Sequence, residues 1–173
     1  MGKYSLLVDI EKCVGCQICE VACKQANNLP AGPRLIRVIT VGPVMVGGKL
    51  RMDFVPMRCM HCGKPTCIDA CPTGAITKRT DGIVVIDEAT CTGCKLCIEA
   101  CPFGAIKFND EKNVAMKCTL CADRLDRGQQ PMCVIHCPAQ AIRVGDINRL
   151  TEAIQQRKAK EMCHIDEIHN RNL

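Results

Sequence analysis

The sequence predicts an α+β protein in which cysteine-bearing loops lead into short helices and strand pairs. An inserted β-hairpin and a C-terminal helix complete the expected plan. Three observations carry this reading. Cysteines recur in four groups of four. The segments after two of the groups, CPTGAITKRTDGIVVID and CPFGAIKFNDEKNVAMK, are near-copies of each other, each with two short apolar runs around a turn. From Asp146 onward the chain becomes highly charged, with Ile147, Leu150 and Ile154 at helical spacing.

The composition makes cysteine the central question. The 173 residues include 17 Cys but only three Phe, one Tyr and no Trp, so much of the usual core material is absent. Disulfides, zinc and iron–sulfur clusters compete for the thiols. The opening MGKYSLLVDI does not read as a secretory signal, so a cytoplasmic chain with reduced thiols is expected. Zinc needs only C-x2-C pairs. The run Cys91, Cys94, Cys97, Cys101-Pro102 has the x2, x2, x3 spacing of a bacterial ferredoxin loop for a [4Fe–4S] cluster. Its first three thiolates reach three iron corners of one cubane. The fourth, expected to open a short helix, points to a neighbouring cluster.

Taken in order, Tyr4 to Asp9 reads as a strand leading into Cys13, Cys16, Cys19 and Cys23, with Lys24 where the other groups have proline. Lys24 reads as a solvated helix residue. Turn formers from Asn27 to Pro33 precede β-branched Leu35–Thr40, and Gly47-Gly48 reads as a hairpin turn before Leu50–Val55. This insertion either covers a cluster or forms a docking surface. The second group is Cys59, Cys62, Cys67 and Cys71-Pro72, with one gap widened to x4. The third is the ferredoxin run above, and a short hairpin follows each of the two. The fourth is Cys118, Cys121, Cys133 and Cys137-Pro138, with a helical turn expected before Gly128 and Pro131. The tail reads as an amphipathic helix that packs over the body or grips a partner.

Sixteen cysteines fill four sets, leaving Cys163 as a free thiol. His61 and His136, beside Cys62 and Cys137, are not expected to be ligands, since no set lacks a cysteine; a functional role for them would be tuning a cluster through hydrogen bonds or charge. His164 and His169 read as surface residues, and the eight Met as core filler. No nucleophile elbow, phosphate-cradling glycine loop or G-x-G-x-x-G is present, so the chain is expected to carry electrons and to be non-catalytic. No apolar run approaches the roughly 18–20 residues of a membrane span. The formal charge of +5 counts the thiols as neutral. Four clusters at −2 each bring the assembly to about −3, so no nucleic-acid partner is expected.

KCVGCQICEVACKQAN, CMHCGKPTCIDACPTGAI and KCTLCADRLDRGQQPMCVIHCPAQAI resemble the first, second and fourth groups of the four-cluster iron–sulfur subunits of the dimethyl sulfoxide reductase type. The resemblance spans residue 4 to about 145. It implies four [4Fe–4S] clusters in two nested ferredoxin-like dicluster units. The outer unit comprises 1–30 plus 115–145 and the inner unit 57–114, with a β-hairpin insertion at 31–56 and a helical tail at 146–173. Nested pairing assigns Cys13, Cys16, Cys19 and Cys137 to the first cluster, and Cys59, Cys62, Cys67 and Cys101 to the second. Cys91, Cys94, Cys97 and Cys71 hold the third, and Cys118, Cys121, Cys133 and Cys23 the fourth. The short hairpin-filled link between the second and third groups supports the inner pair independently.

The resemblance also implies an electron-transfer role beside a catalytic subunit carrying a molybdenum or tungsten pterin cofactor, with the small subunit of tungsten-dependent aldehyde oxidoreductases preferred. The competing expectation is a subunit of a hydrogenase, formate-oxidising or carbon monoxide dehydrogenase complex. A flavin or ferredoxin electron acceptor is a further expected partner. If the clusters form a line, two unlike ends permit head-to-tail self-stacking.

Overall fold

The structure, a computed structural model, describes residues 3–163, so the readings of His164 and His169 lie outside the described residues. Strand β1 (Tyr4–Val8) enters the first cysteine loop, which is followed by helix α1 (Ile18–Ala26). The hairpin β2 (Ile36–Val46) and β3 (Lys49–Arg58) comes next. Helix α2 (Thr66–Asp69), strands β4 (Ile76–Lys78) and β5 (Val84–Ile86), helix α3 (Leu96–Glu99), and strands β6 (Lys107–Asn109) and β7 (Val114–Met116) form two copies of one pattern. Helices α4 (Ala122–Asp126) and α5 (Met132–Ile135), strand β8 (Ile142–Asp146) and helix α6 (Ile147–Met162) complete the order.

Among the described residues each strand pairs with one partner only, giving four separate two-stranded antiparallel sheets. Strand β1 pairs with β8, Tyr4 opposite Asp146 and Val8 opposite Ile142, which joins the strand before the first cysteine group to the strand after the fourth. The other sheets are the hairpins β2–β3, β4–β5 and β6–β7. Leu6, Leu35, Ile36, Ile83, Met116, Leu120, Leu125 and Ile142 pack with Cys19, Cys23 and Cys133 in one core. Ile76, Val84, Ile106 and Ala115 pack with Cys97 in a second.

Three features differ from the sequence reading. The fourth cysteine does not open a helix. Cys71, Cys101 and Cys137 each follow one, because a residue before proline is driven out of the helical region. Group one lacks the proline, so α1 continues through Cys23 to Ala26. Lys24 is half-buried rather than solvated: its Nζ donates to the carbonyls of Pro30 (2.5 Å) and Pro33 (3.1 Å), pinning the start of the insertion.

The β2–β3 hairpin has two regions. Near the body, Val38, Phe54 and Pro56 lie against the first cysteine loop, and a Cβ on Gly15 would meet the Phe54 ring at 2.6 Å. Further out, past a bulge between Val41 and Val44, Met45, Leu50 and Met52 are exposed. At the other end of the chain, Asp146 caps α6 by accepting from the Asn148 and Arg149 N–H groups. Arg157 of α6 pairs with buried Asp9, and Leu150 packs on Gly145, so the helix lies against β1 and β8. Among the described residues no helix is long and apolar enough to cross a membrane.

Candidate functional site

The cysteines ring cavities rather than converging on points. Cys23, Cys118, Cys121 and Cys133 line one cavity with Leu6, Ile36, Arg58 and Leu120. Cys13, Cys16, Cys19 and Cys137 line a second, beside Val38 and Pro56. Cys71, Cys91, Cys94 and Cys97 line a third, with Ile76 and Ala115. Three separate cavities, each edged by four thiols, suit one kind of occupant. For the remaining group, Cys67 faces Cys59 and Cys101, and Cys62 stands in the same loop as Cys59. Among the described residues no three His, Cys, Asp or Glu are disposed to hold a single metal ion.

Each set draws on separate stretches of chain because of how the loops and helices are built. The residue before the second cysteine is left-handed in all four groups: Gly15 (φ +70°), His61 (+47°), Gly93 (+71°) and Leu120 (+56°). That conformation folds the loop back so that backbone N–H groups point at sulfur. His61 N–H donates to Cys59 Sγ (3.5 Å) and Leu120 N–H to Cys118 Sγ (3.4 Å). The third cysteine sits in the following helix, as Cys19, Cys67, Cys97 and Cys133 do. After the helix, Ala105 N–H donates to Cys101 Sγ (3.5 Å) and Ala141 N–H to Cys137 Sγ (3.3 Å).

The electrostatics of these sulfurs call for a cationic occupant. Burial pushes the Cys19 thiol up to about 11, with Glu20, Cys13 and Cys16 adding to the rise. Burial, then Cys118 and Cys121, push Cys23 up to about 12. Burial raises Cys97 to about 11, with Cys91, Cys94 and Cys71 contributing, and Cys133 and Cys118 rise for the same first reason. Cys71 moves the other way. Against a burial penalty, the Thr73 hydroxyl and the N–H groups of Ile76, Thr73 and Ala75 hold it below the usual thiol range. Crowded buried thiols become thiolates only where bound metal supplies the compensating charge. A [4Fe–4S] core does so at four sulfurs at once, and the donor set present is the one it takes.

Neighbouring sets also influence one another. Cys19 lies within electrostatic reach of Cys23 and Cys133. Cys118 lies within electrostatic reach of Cys59. Helices α2 and α3 touch, and the Thr66 hydroxyl donates to the Ala100 carbonyl (2.9 Å), joining the Cys59 region to the Cys91 loop. The exposed cysteines of the four groups are Cys16 in the first and Cys94 in the third.

Sequence reasoning missed the buried polar groups around these sites. Glu20 is 5% exposed, accepts from Val38 N–H (2.6 Å) and pairs with Arg34 (2.8 Å). Arg58 and Lys117 are buried beside Cys59 and Cys118. The signal was a basic residue directly before a first cysteine, which reads as surface charge until burial is known. The two flanking histidines part company. His61 is held neutral, pushed down to about 3 by burial and by Lys117, Arg58 and Lys78. His136 is exposed, with Nδ1 at 3.0 Å from the Met132 carbonyl of its own helix. Cys163 is exposed at the end of α6.

Family models described as 4Fe-4S dicluster domain match residues 12–75 and 50–147, and two dicluster domains account for four clusters. The chain is 41% identical over 158 residues to the thiosulfate reductase electron transfer subunit PhsB of Salmonella typhi, covering 90% of this chain and 81% of that one. It is 36% identical over 159 residues to a subunit of the anaerobic dimethyl sulfoxide reductase of Escherichia coli, covering 86% and 76%. It is 38% identical over 175 residues to the iron-sulfur subunit of the nitrate-inducible formate dehydrogenase of Escherichia coli, covering 92% and 60%.

Proposed function

Since this chain belongs to the 4Fe-4S dicluster family of iron–sulfur subunits of the dimethyl sulfoxide reductase type, we propose that it relays single electrons to or from a catalytic subunit carrying a molybdenum or tungsten pterin cofactor. The observation that carries this reading is the set of separate cysteine-lined cavities, two of which include the exposed Cys16 and Cys94; we read the sites as a row with these two at its ends. A row lets an electron enter at one end and leave at the other. The clusters supply one-electron redox chemistry. The protein binds them, spaces them and keeps water from the middle of the row.

We propose the nested ligand sets for these sites: Cys13, Cys16, Cys19 with Cys137; Cys118, Cys121, Cys133 with Cys23; Cys59, Cys62, Cys67 with Cys101; and Cys91, Cys94, Cys97 with Cys71. The cavity linings support three of the sets, and the approach of Cys67 to Cys59 and Cys101 supports the other. Replacing Cys23 by Ser then perturbs the cluster of the fourth group and leaves that of its own group intact. Electron paramagnetic resonance of reduced Cys23→Ser, Cys13→Ser and Cys137→Ser proteins tests this. A Cys23→Ser protein altering the same signal as Cys13→Ser would contradict the crossed sets.

The relatives' names put sulfur-compound reduction and formate oxidation beside the aldehyde-oxidising tungsten partner preferred on sequence. A formate-oxidising partner has specific support in the 38% identity to a formate dehydrogenase subunit. Purification of the native complex with analysis for tungsten, molybdenum and nickel separates a pterin-metal partner from a nickel one, and assay of that complex with thiosulfate, dimethyl sulfoxide, formate and aldehydes decides among the pterin-metal partners. A complex containing nickel and neither of the other two would overturn the pterin reading.

A further inference from the structure

Two cations are buried at the middle of the row, each from the residue directly before a first cysteine. Arg58 is 8% exposed, lines the cavity of Cys23, Cys118, Cys121 and Cys133, and also faces Cys59. Its Nη2 donates to the Leu6 carbonyl, and its Nε is buried without a partner among the described residues. Lys117 is 3% exposed and donates to the carbonyls of Val84 and Cys118 (3.1 Å). Its charge acts on both Cys118 and Cys67. Among the described residues neither cation forms a salt bridge to a carboxylate. Burying an unpaired cation is expensive, and a fold carries two in one place only where a counter-charge is present. The groups they face are cysteine sulfurs.

His61 completes the junction. The Val84 N–H donates to its Nδ1 (3.0 Å), so Nδ1 is an acceptor and the ring N–H is on Nε2. That Nε2–H is buried and has no partner among the described residues, in the loop between Cys59 and Cys62. A buried donor without a protein acceptor, next to two proposed ligands, fits a hydrogen bond to cluster or thiolate sulfur.

We propose that Arg58 and Lys117, with the Nε2–H of His61, are positioning residues for electrons. They make the two central clusters, on the Cys59/Cys62/Cys67/Cys101 and Cys23/Cys118/Cys121/Cys133 sets, accept electrons before the two end clusters. The proposal rests on the ligand sets above. Each reduction adds one negative charge to a cluster and breaks no bond. A fixed positive charge in a low-dielectric interior favours the reduced form, as does a donor to sulfur. At the ends, water around Cys16 and Cys94 screens such effects. The subunit thereby holds two electrons at its centre, the number a pterin-metal centre exchanges.

Potentiometric titration of the full cluster-loaded chain, followed by electron paramagnetic resonance, tests this. After two electrons per chain, the wild type is expected to show the spin-coupled signal of two adjacent clusters, lost in Cys67→Ser and in Cys133→Ser. Arg58→Gln and Lys117→Met each lower both central potentials and leave the end clusters unmoved, while Arg58→Lys and Lys117→Arg restore them. His61→Phe lowers the Cys59-set cluster alone. Variants that keep about sixteen iron atoms per chain with all four midpoints unchanged would overturn the proposal. If the charge-removing variants lose iron, the wild-type titration decides, and a two-electron state of non-interacting clusters overturns it. A wild type holding fewer than four clusters overturns the ligand sets instead.

Discussion

Lys24 shows how much one absent proline changes. Cys-Pro ends the helix in the other three groups, whereas Cys23-Lys24 lets α1 run on and delivers an ammonium to the Pro30 and Pro33 carbonyls. Glu20, one turn earlier, reaches the same insertion through the Val38 N–H and Arg34. The Arg34 pair, half exposed, contributes little by itself. The buried carboxylate–amide bond matters more, and Glu20→Ala leaves the Val38 N–H unpaired at a cost of about 2 kcal/mol. Thermal bleaching of the visible absorbance is expected to occur faster in Glu20→Ala than in wild type. An unchanged bleaching rate would show that the insertion holds α1 by packing alone.

Local elements repeat one solution four times with different fillings. A left-handed residue before the second cysteine is glycine where another segment presses on it and a larger side chain where space must be filled. Leu120 is 2% exposed in the core, and His61 occupies the central junction. Gly93 has no such room, since a Cβ would lie 2.5 Å from the Asn113 backbone carbonyl. Gly93→Ala therefore combines left-handed strain with a backbone clash that no rotamer relieves. The expected result is a folded chain short of one cluster, about four iron atoms fewer per chain, with the Cys91-set signal missing. Gly15→Ala meets the Phe54 side chain instead and is expected to retain more iron, because a ring can move where a carbonyl cannot.

At the scale of the whole molecule, no element is self-sufficient. Four isolated two-stranded sheets and five short helices near the cysteines offer little independent stability, since a lone hairpin is marginal in water. Both cores include cysteines, and only 2% of residues are aromatic. Metal–thiolate bonds must therefore supply much of the folding free energy. Aerobic chelation is expected to remove the far-ultraviolet circular dichroism along with the colour. A colourless chain that still melts cooperatively would refute this.

Cysteine spacing, the near-copied segments, the Gly47-Gly48 turn and the 3.6-residue period after Asp146 were each sufficient to read a local outcome: cluster loops, three hairpins and α6. Those features depend on residues close in sequence, where turn chemistry, chain geometry and ligand reach act directly. The pairing of β1 with β8 and the fate of each charged residue were not readable in this way. Lys24, Arg58 and Lys117 look like ordinary surface cations in one dimension, and Asp9 and Glu20 like ordinary surface anions. Whether a charge is solvated or buried depends on which distant segments close over it, and only the packed chain decides that.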